Sequence, residues 1–375
     1  MTLDRRRCLR GVAAGTVSLL TPLWLRAQPT TPTAAHRPPM WAADAPWRAW
    51  TLTTTVEVRD PGRETQVWLP LPSLSTPWQQ TVTHTFQTQG EARLRADGRY
   101  GAQMLHVRFA RDERRPTVTL TTTVRTRDRA SPWASPVART APALTAAERR
   151  FWLAPTEWLP TDGIVRKTAL EAVGSARSDR ARAERIYDWV VRNAWREPTT
   201  RGCGPGDIRT MLETGNLGGK CADINALFVG LCRSAGLPAR DVYGVRVAPS
   251  AFGYRQLGAP SEQLSGAQHC RAEVWLEGAG WCAMDPADVT KVMRHEFLDW
   301  IRDPRDPRVE PVRQALFGGW EGNWVGWNMA HDLDLPGARG PRLPFLMYPV
   351  AEVDGERLDS YSPNDFRYRI VAARA

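Results

Sequence analysis

Between residues 47 and 126 apolar and polar positions alternate with period two in short runs. The runs 50–58, 65–69, 81–86, 105–109 and 117–124 are rich in threonine, valine and aromatic residues. Turn-forming residues separate them about every ten positions, which predicts a small antiparallel β-sandwich over 45–130. Proline-rich residues 131–142 then mark a boundary. Beyond it the period becomes helical over 145–152, 164–173 and 179–194, the last run carrying Ile186, Trp189 and Val190 on one side. The same spacing returns in 221–235, where Ile224, Leu227, Phe228, Leu231, Cys232 and Ala235 repeat. Alternation resumes in 269–276 and 281–285 around Gly278 and Gly280, an antiparallel hairpin, and again in 366–372, a closing strand. The chain therefore reads as α+β, with residues 336–375 a C-terminal extension that ends in that strand.

Chemistry concentrates at the start of the 221–235 helix. Cys221 follows Gly218-Gly219-Lys220. A glycine pair lets backbone approach closely, and a thiol at a helix N-terminus sits where the macrodipole favours thiolate. Downstream, His269, Arg271, Glu273 and Trp275 share one face of the first hairpin strand, and Trp281, Ala283 and Asp285 share one face of the second. If the faces coincide, a carboxylate orients an imidazole, and a thiolate, a histidine and an acid are what acyl transfer through a thioester needs. Pairing Leu276 with Trp281 leaves Asp285 three residues out of register with His269, roughly 10 Å at strand rise. A bulge or a wider turn at Gly278 and Gly280 is expected to close that gap.

The Cys221 segment, His269-x-x-x-Glu273-Val274-Trp275 and Gly280-Trp281-x-x-Met284-Asp285-Pro286 resemble the three motifs of the bacterial transglutaminase-like superfamily, in the family's order and with similar spacing. The resemblance covers roughly 140–335. It implies a papain-like domain of helices packed on an antiparallel sheet, with Cys221 as nucleophile, His269 as general base and Asp285 as the orienting carboxylate. Val67-Trp68-Leu69-Pro70-Leu71-Pro72 resembles the β module that often precedes this domain. Trp195 sits where the family often places an aromatic lining the site near the oxyanion; a core plug is the alternative. No acidic cluster resembles the calcium sites of the animal enzymes, and no Cys-x-x-Cys or His-x-x-x-His pair suggests zinc, so no cofactor is expected.

The N-terminus sets the compartment. Asp4-Arg5-Arg6-Arg7-Cys8-Leu9-Arg10, an apolar stretch over 11–25 and Arg26-Ala27 resemble a twin-arginine signal with Cys8 in place of phenylalanine. Residues 1–35 are expected to be signal peptide and flexible leader, cut after Ala27 or near Ala35, with an uncleaved amphipathic anchor as the alternative. The stretch is too short and too interrupted by Pro22 to predict a stable membrane span. Of six cysteines, Cys8 belongs to the leader, and an odd five then suits one reactive thiol and up to two disulfides. Cys232, roughly 16 Å along the helix from Cys221, reads as core, and Cys270 and Cys282 point away from the His269 face by parity.

Composition changes the picture little. The formal charge of +10 becomes +6 once five arginines and one aspartate leave with residues 1–27. Arginine is scattered over both halves, so no nucleic-acid partner is expected. Trp320, Trp324 and Trp327 are expected to be strand packing rather than a substrate-stacking wall, with His331 beside them, and Asp299, Asp303, Arg305 and Asp306 a solvated loop. The expected activity is that of an exported, periplasmic thiol enzyme on amide bonds of peptide or protein substrates; the alternative is a non-catalytic envelope binding module of the same fold.

Overall fold

The computed structural model describes residues 45–59, 62–130, 133, 141–362 and 366–375. The expected leader and most of the proline-rich boundary lie outside the described residues. The alternating N-terminal runs form two antiparallel sheets. In one, Arg48–Val58 is flanked by Phe366–Arg374 on one side and by Thr117–Thr126 and then Gln79–Thr88 on the other. In the other the order is Glu356–Arg357, Val350–Val353, Thr65–Pro70, Gln103–Phe109 and Glu91–Ala96. Period-two burial along Arg48–Val58 puts Leu52, Thr54, Val56 and Val58 inside and leaves Thr51, Thr53 and Thr55 half-buried on the other face. Glu91–Ala96 escaped the sequence reading because it is a largely exposed edge strand, Glu-Ala-Arg-Leu-Arg-Ala, with no apolar face to announce it.

The C-terminal region, expected as an extension with a closing strand, is built into this sandwich. Phe366–Arg374 pairs with Arg48–Val58 over nine residues, from Trp50 opposite Arg374 to Val58 opposite Phe366. Its outer edge is met by the second half of the chain, where the Leu264 amide donates to the Ile370 carbonyl at 2.7 Å and the Ile370 amide to Ser265 Oγ at 3.0 Å.

Between the first and last strands, helices Ala146–Leu153, Gly163–Val173 and Asp179–Asn193 precede a central helix, Cys221–Ser234. That helix packs on a five-stranded antiparallel sheet ordered Phe317–Gly318, Gly280–Met284, Gln268–Leu276, Ala239–Arg246 and Trp324–Asn328. All fourteen of its residues are buried, so the apolar stripe seen in sequence is only one side of a fully enclosed helix. The polar residues on the other side are bonded: Arg233 donates to the carbonyls of Ala154 and Ala239, and Ser234 to that of Thr161.

One apolar cluster joins Trp50, Leu52, Trp78 and Val124 of the sandwich and Ile370 of the last strand to the helices and sheet. A charged clamp reinforces the junction. Glu273, fully buried, accepts from Arg240 and from Arg129, and Arg129 also donates to the Trp281 carbonyl and lies over the Trp320 ring.

If the last strand is integral to this joined core, Ile370→Ala should lower unfolding free energy by about 2–5 kcal/mol in urea titration, the ordinary effect of emptying a buried isoleucine site. Leu170→Ala, at an exposed helix position, should stay within about 0.5 kcal/mol. Equal, small effects would mean that the strand merely rests on the surface.

Candidate active site

The Cys221 helix begins where the sequence placed it, and the glycines before it are needed for contact. A side chain at Gly218 would run into the Trp195 indole, and one at Gly219 into Asp223. Trp195–Arg196 pairs in parallel with Gly218–Gly219, and Asp223 accepts from the amides of Lys220 and Gly206 at 2.9 Å each. These bonds fix the turn that presents Cys221, which is 2 % exposed.

His269 and Asp285 meet. Imidazole Nε2 lies 2.7 Å from Asp285 Oδ2, and both residues are buried. The facing strands agree with the parity argument, since Trp275 stands opposite Trp281 and Glu273 opposite Ala283. The expected bulge or wider turn does not occur: the ladder is regular and the loop is one residue tighter, with Leu276 opposite Gly280. The remaining offset is closed by Asp285 leaving the strand to cap the helix Pro286–His295, which swings its carboxylate toward His269.

Around this pair are groups that sequence reasoning missed. Asp288, in the first turn of the helix that Asp285 caps, lies 3.4 Å from His269 Nε2 and pairs with Arg246. Arg271 Nε is 3.6 Å from Asp285 Oδ2, and its guanidinium lies about 5 Å from the ring centres of both Trp320 and Trp324. Trp324 Nε1 donates to the His269 carbonyl at 2.8 Å, so two of the clustered tryptophans act as framework of the site, buried as packing residues are. Trp327 is buried beside them, and His331 lies apart from Cys221, against Tyr243 and Asp241. Asn225, one turn along from Cys221, donates to the Cys270 carbonyl at 2.8 Å and toward Asp285 at 3.4 Å. A lone asparagine inside an apolar helical stripe was the visible mark of that role.

Burial and then Arg246 push the His269 imidazolium down, but Asp288 and Asp285 outweigh them and its pKa is raised. The Asp288 carboxyl is held low because Arg246, followed by His269 and Lys291, outweighs its burial. Cys221 is held well below the usual thiol range, chiefly by hydrogen bonds from Cys203 and then Cys270, with a smaller part from His269, against burial. The thiols of Cys203 and Cys270 are pushed up in turn.

Two of the expectations change here. Cys270 does not serve as remote structure; it touches the Cys221 sulfur, because the helix start lies against this part of the strand. Among the described residues no disulfide is present: Cys203, Cys221, Cys232, Cys270 and Cys282 are all free and buried. Trp195 packs on Gly218, and its indole is a hydrogen-bond partner of the Glu197 carboxylate. The acidic loop behaves as expected, with Arg308 pairing Asp299 and Asp306.

His269, Asp285 and Asp288 bring their ligand atoms within 4.8 Å of one another, the spacing of a cation site. Arg246 and Arg271 already neutralise the two carboxylates, which suits an imidazolium between them better than a metal ion.

Transglutaminase-like superfamily is the family description that matches, over residues 166–286. A protein from Haemophilus influenzae, described only as uncharacterized, is 33 % identical over 323 residues, spanning 83 % of this chain and 86 % of its own. The chain belongs to the transglutaminase-like superfamily. Among solved structures it is similar to a candidate cysteine protease from Cytophaga hutchinsonii, at 16 % identity and TM-score 0.48 over 88 % of this chain and 99 % of that one. It is also similar to the periplasmic domain of TgpA from Pseudomonas aeruginosa, at 16 % identity and TM-score 0.34 over 68 % and 85 %. No helix among the described residues is long and apolar enough to cross a membrane.

The buried charges can be tested without any substrate. Arg246→Met leaves Asp288 without its partner and should cost about 3–5 kcal/mol in denaturant unfolding. Adding Asp288→Leu should recover most of that loss, because it removes the stranded charge. Additive losses in the double variant would show that the two residues do not act as a pair.

Proposed function

We propose that this protein is an exported thiol enzyme that cleaves or transfers the acyl group of amide bonds in peptide or protein substrates. The observation that carries the reading is the 2.7 Å contact of His269 with Asp285 beside a sulfur whose surroundings favour thiolate. Cys221 attacks the amide carbonyl, forming a carbon–sulfur bond, and His269, its Nε2 engaged by Asp285, gives a proton to the departing amine as the carbon–nitrogen bond breaks. The thioester is then taken by a second amine or by water, with His269 removing the proton of the acceptor. Asp288 and Asp285 balance the charge of the imidazolium, while Arg246 pairs with Asp288 and Arg271 lies beside Asp285.

For the oxyanion, the main-chain N–H of Cys221 is the donor the fold offers, since the first residues of a helix have no acceptor within it. Trp195 is better supported as a wall over Gly218 than as an indole donor. Export rests on the twin-arginine-like leader, and mass spectrometry of the mature protein should find its first residue at 28 or near 36.

Alkylation of Cys221 by iodoacetamide, mapped by peptide mass, tests the nucleophile. At neutral pH it should exceed the rate for glutathione about tenfold or more. A depressed thiol pKa means that the fast rate persists below the usual thiol range and is lost as pH falls through the folded value; His269→Ala should move the midpoint upward by only part of the depression, and Cys203→Ala by more. A rate no greater than that of glutathione at every pH would sink the enzyme and favour a binding module. A glutamine peptide offered with and without a primary amine then yields either the amide adduct, which identifies a transferase, or the free acid, which identifies a hydrolase.

A further inference from the structure

A cleft of about 740 Å³ opens close to Cys221, its wall including the neighbouring Cys203 and Lys220. One side belongs to the papain-like half, through Arg196, Lys220 and Gln268. The other is formed by the returned C-terminal strand, through Arg367, Tyr368 and Arg369, with Tyr348 and Tyr361 beside it. The sandwich therefore supplies half of the approach to the sulfur.

Charge in this cleft is one-sided. Arg196, Lys220, Arg367 and Arg369 line it against Glu57 alone, and Glu57 stands opposite Arg367 in the strand ladder. Among the described residues Arg196, Lys220 and Arg369 form no ion pair, whereas arginines elsewhere on the surface commonly do. The helix behind the cleft adds Lys291, Arg294 and His295. Lys291 Nζ donates to the Gln256 carbonyl at 2.6 Å, and its ammonium is pushed down to about 8 by burial and then by Arg246. His295 is likewise held down, by burial and then by Arg196, Arg294, Lys291 and Lys220, so these cations feel one another. Like charges gathered in a concave, partly apolar space, outnumbering the acidic residue that lines it, focus a positive potential that an anionic ligand relieves.

We propose that this cleft binds an acidic peptide, with Arg196, Lys220 and Arg369 holding carboxylates that flank the amide offered to Cys221. Because the neighbouring sulfur acts on a carbonyl, a peptide fits the site and an anion without an acyl group does not. This inference rests on the reading of Cys221 as nucleophile, and it specifies what that nucleophile meets.

The test is protection of the full chain against iodoacetamide at Cys221. The probes are an acetylated, amidated hexapeptide of sequence Glu-Glu-Ala-Gln-Glu-Glu and counterparts with glutamine or lysine in place of glutamate. At low salt the acidic peptide should protect at about a tenfold lower concentration than the glutamine peptide, and the advantage should shrink as salt screens the cleft. Arg196→Gln and Arg369→Gln, checked for unchanged circular dichroism, should each reduce it. Equal protection by the acidic and glutamine peptides, best protection by the lysine peptide, protection by none, or a preference untouched by both substitutions would overturn the proposal. Failure of the nucleophile itself appears separately, as slow alkylation before any peptide is added; fluorescence polarisation of the labelled peptides then still reads the charge preference of the cleft.

Discussion

The structure depends on keeping an imidazole and its carboxylate partner away from water. His269 is 3 % exposed and Asp285 not at all, and a lone ion in such a place would lose several kcal/mol of solvation. The Arg246 and Arg271 guanidiniums and the His269 imidazole stand with Asp285 and Asp288 in one buried network beside Cys221. Each needs the others. The tryptophans follow from the same constraint, because Arg271 can be buried only where aromatic faces receive its guanidinium, and Trp320 and Trp324 provide them. Trp324 also holds the strand backbone at His269 through its indole.

That requirement ties the two halves of the chain together. The sheet carrying His269 must not shift against the Cys221 helix, and Arg129, emerging from the last sandwich strand before the boundary, is pinned by Glu273 on the same strand as His269. The C-terminal strand completes the arrangement from the other side, pairing with Arg48–Val58 while Leu264 and Ser265 bond to it just before His269. The sandwich thus braces both ends of the segment that places the imidazole. A role as bystander does not fit those bonds.

Local features carried much of this in the sequence. Helical spacing, the glycine pair and strand parity located the start of the Cys221 helix and the shared face of His269 and Asp285, because each depends on neighbours within a few residues. What escaped detection depended on distant partners or on small geometric choices. The one-residue difference in hairpin register is set by how three loop residues turn. The destination of Phe366–Arg374 is a pairing across about three hundred positions, which no period reveals. Asp288 was hidden in plain view, three residues after Asp285 as a helix's first turn often places an acid, so its role as second partner of His269 emerged only with Arg246 beside it.

The cysteines show how burial changes the meaning of a residue type. An odd number behind an export-like leader suggested disulfides, yet Cys203 and Cys270 stand as thiols against Cys221. In water an S–H group is too weak a donor to displace solvent from a thiolate. At 2 % exposure solvent offers Cys221 little, and two thiols held by the fold become the main donors its sulfur has. Their own acidity is suppressed in the process, since a second or third thiolate so close would repel the first. The helix end and the imidazole therefore act on a sulfur already solvated by its own kind, and the depressed pKa is a property of the cluster rather than of one cysteine.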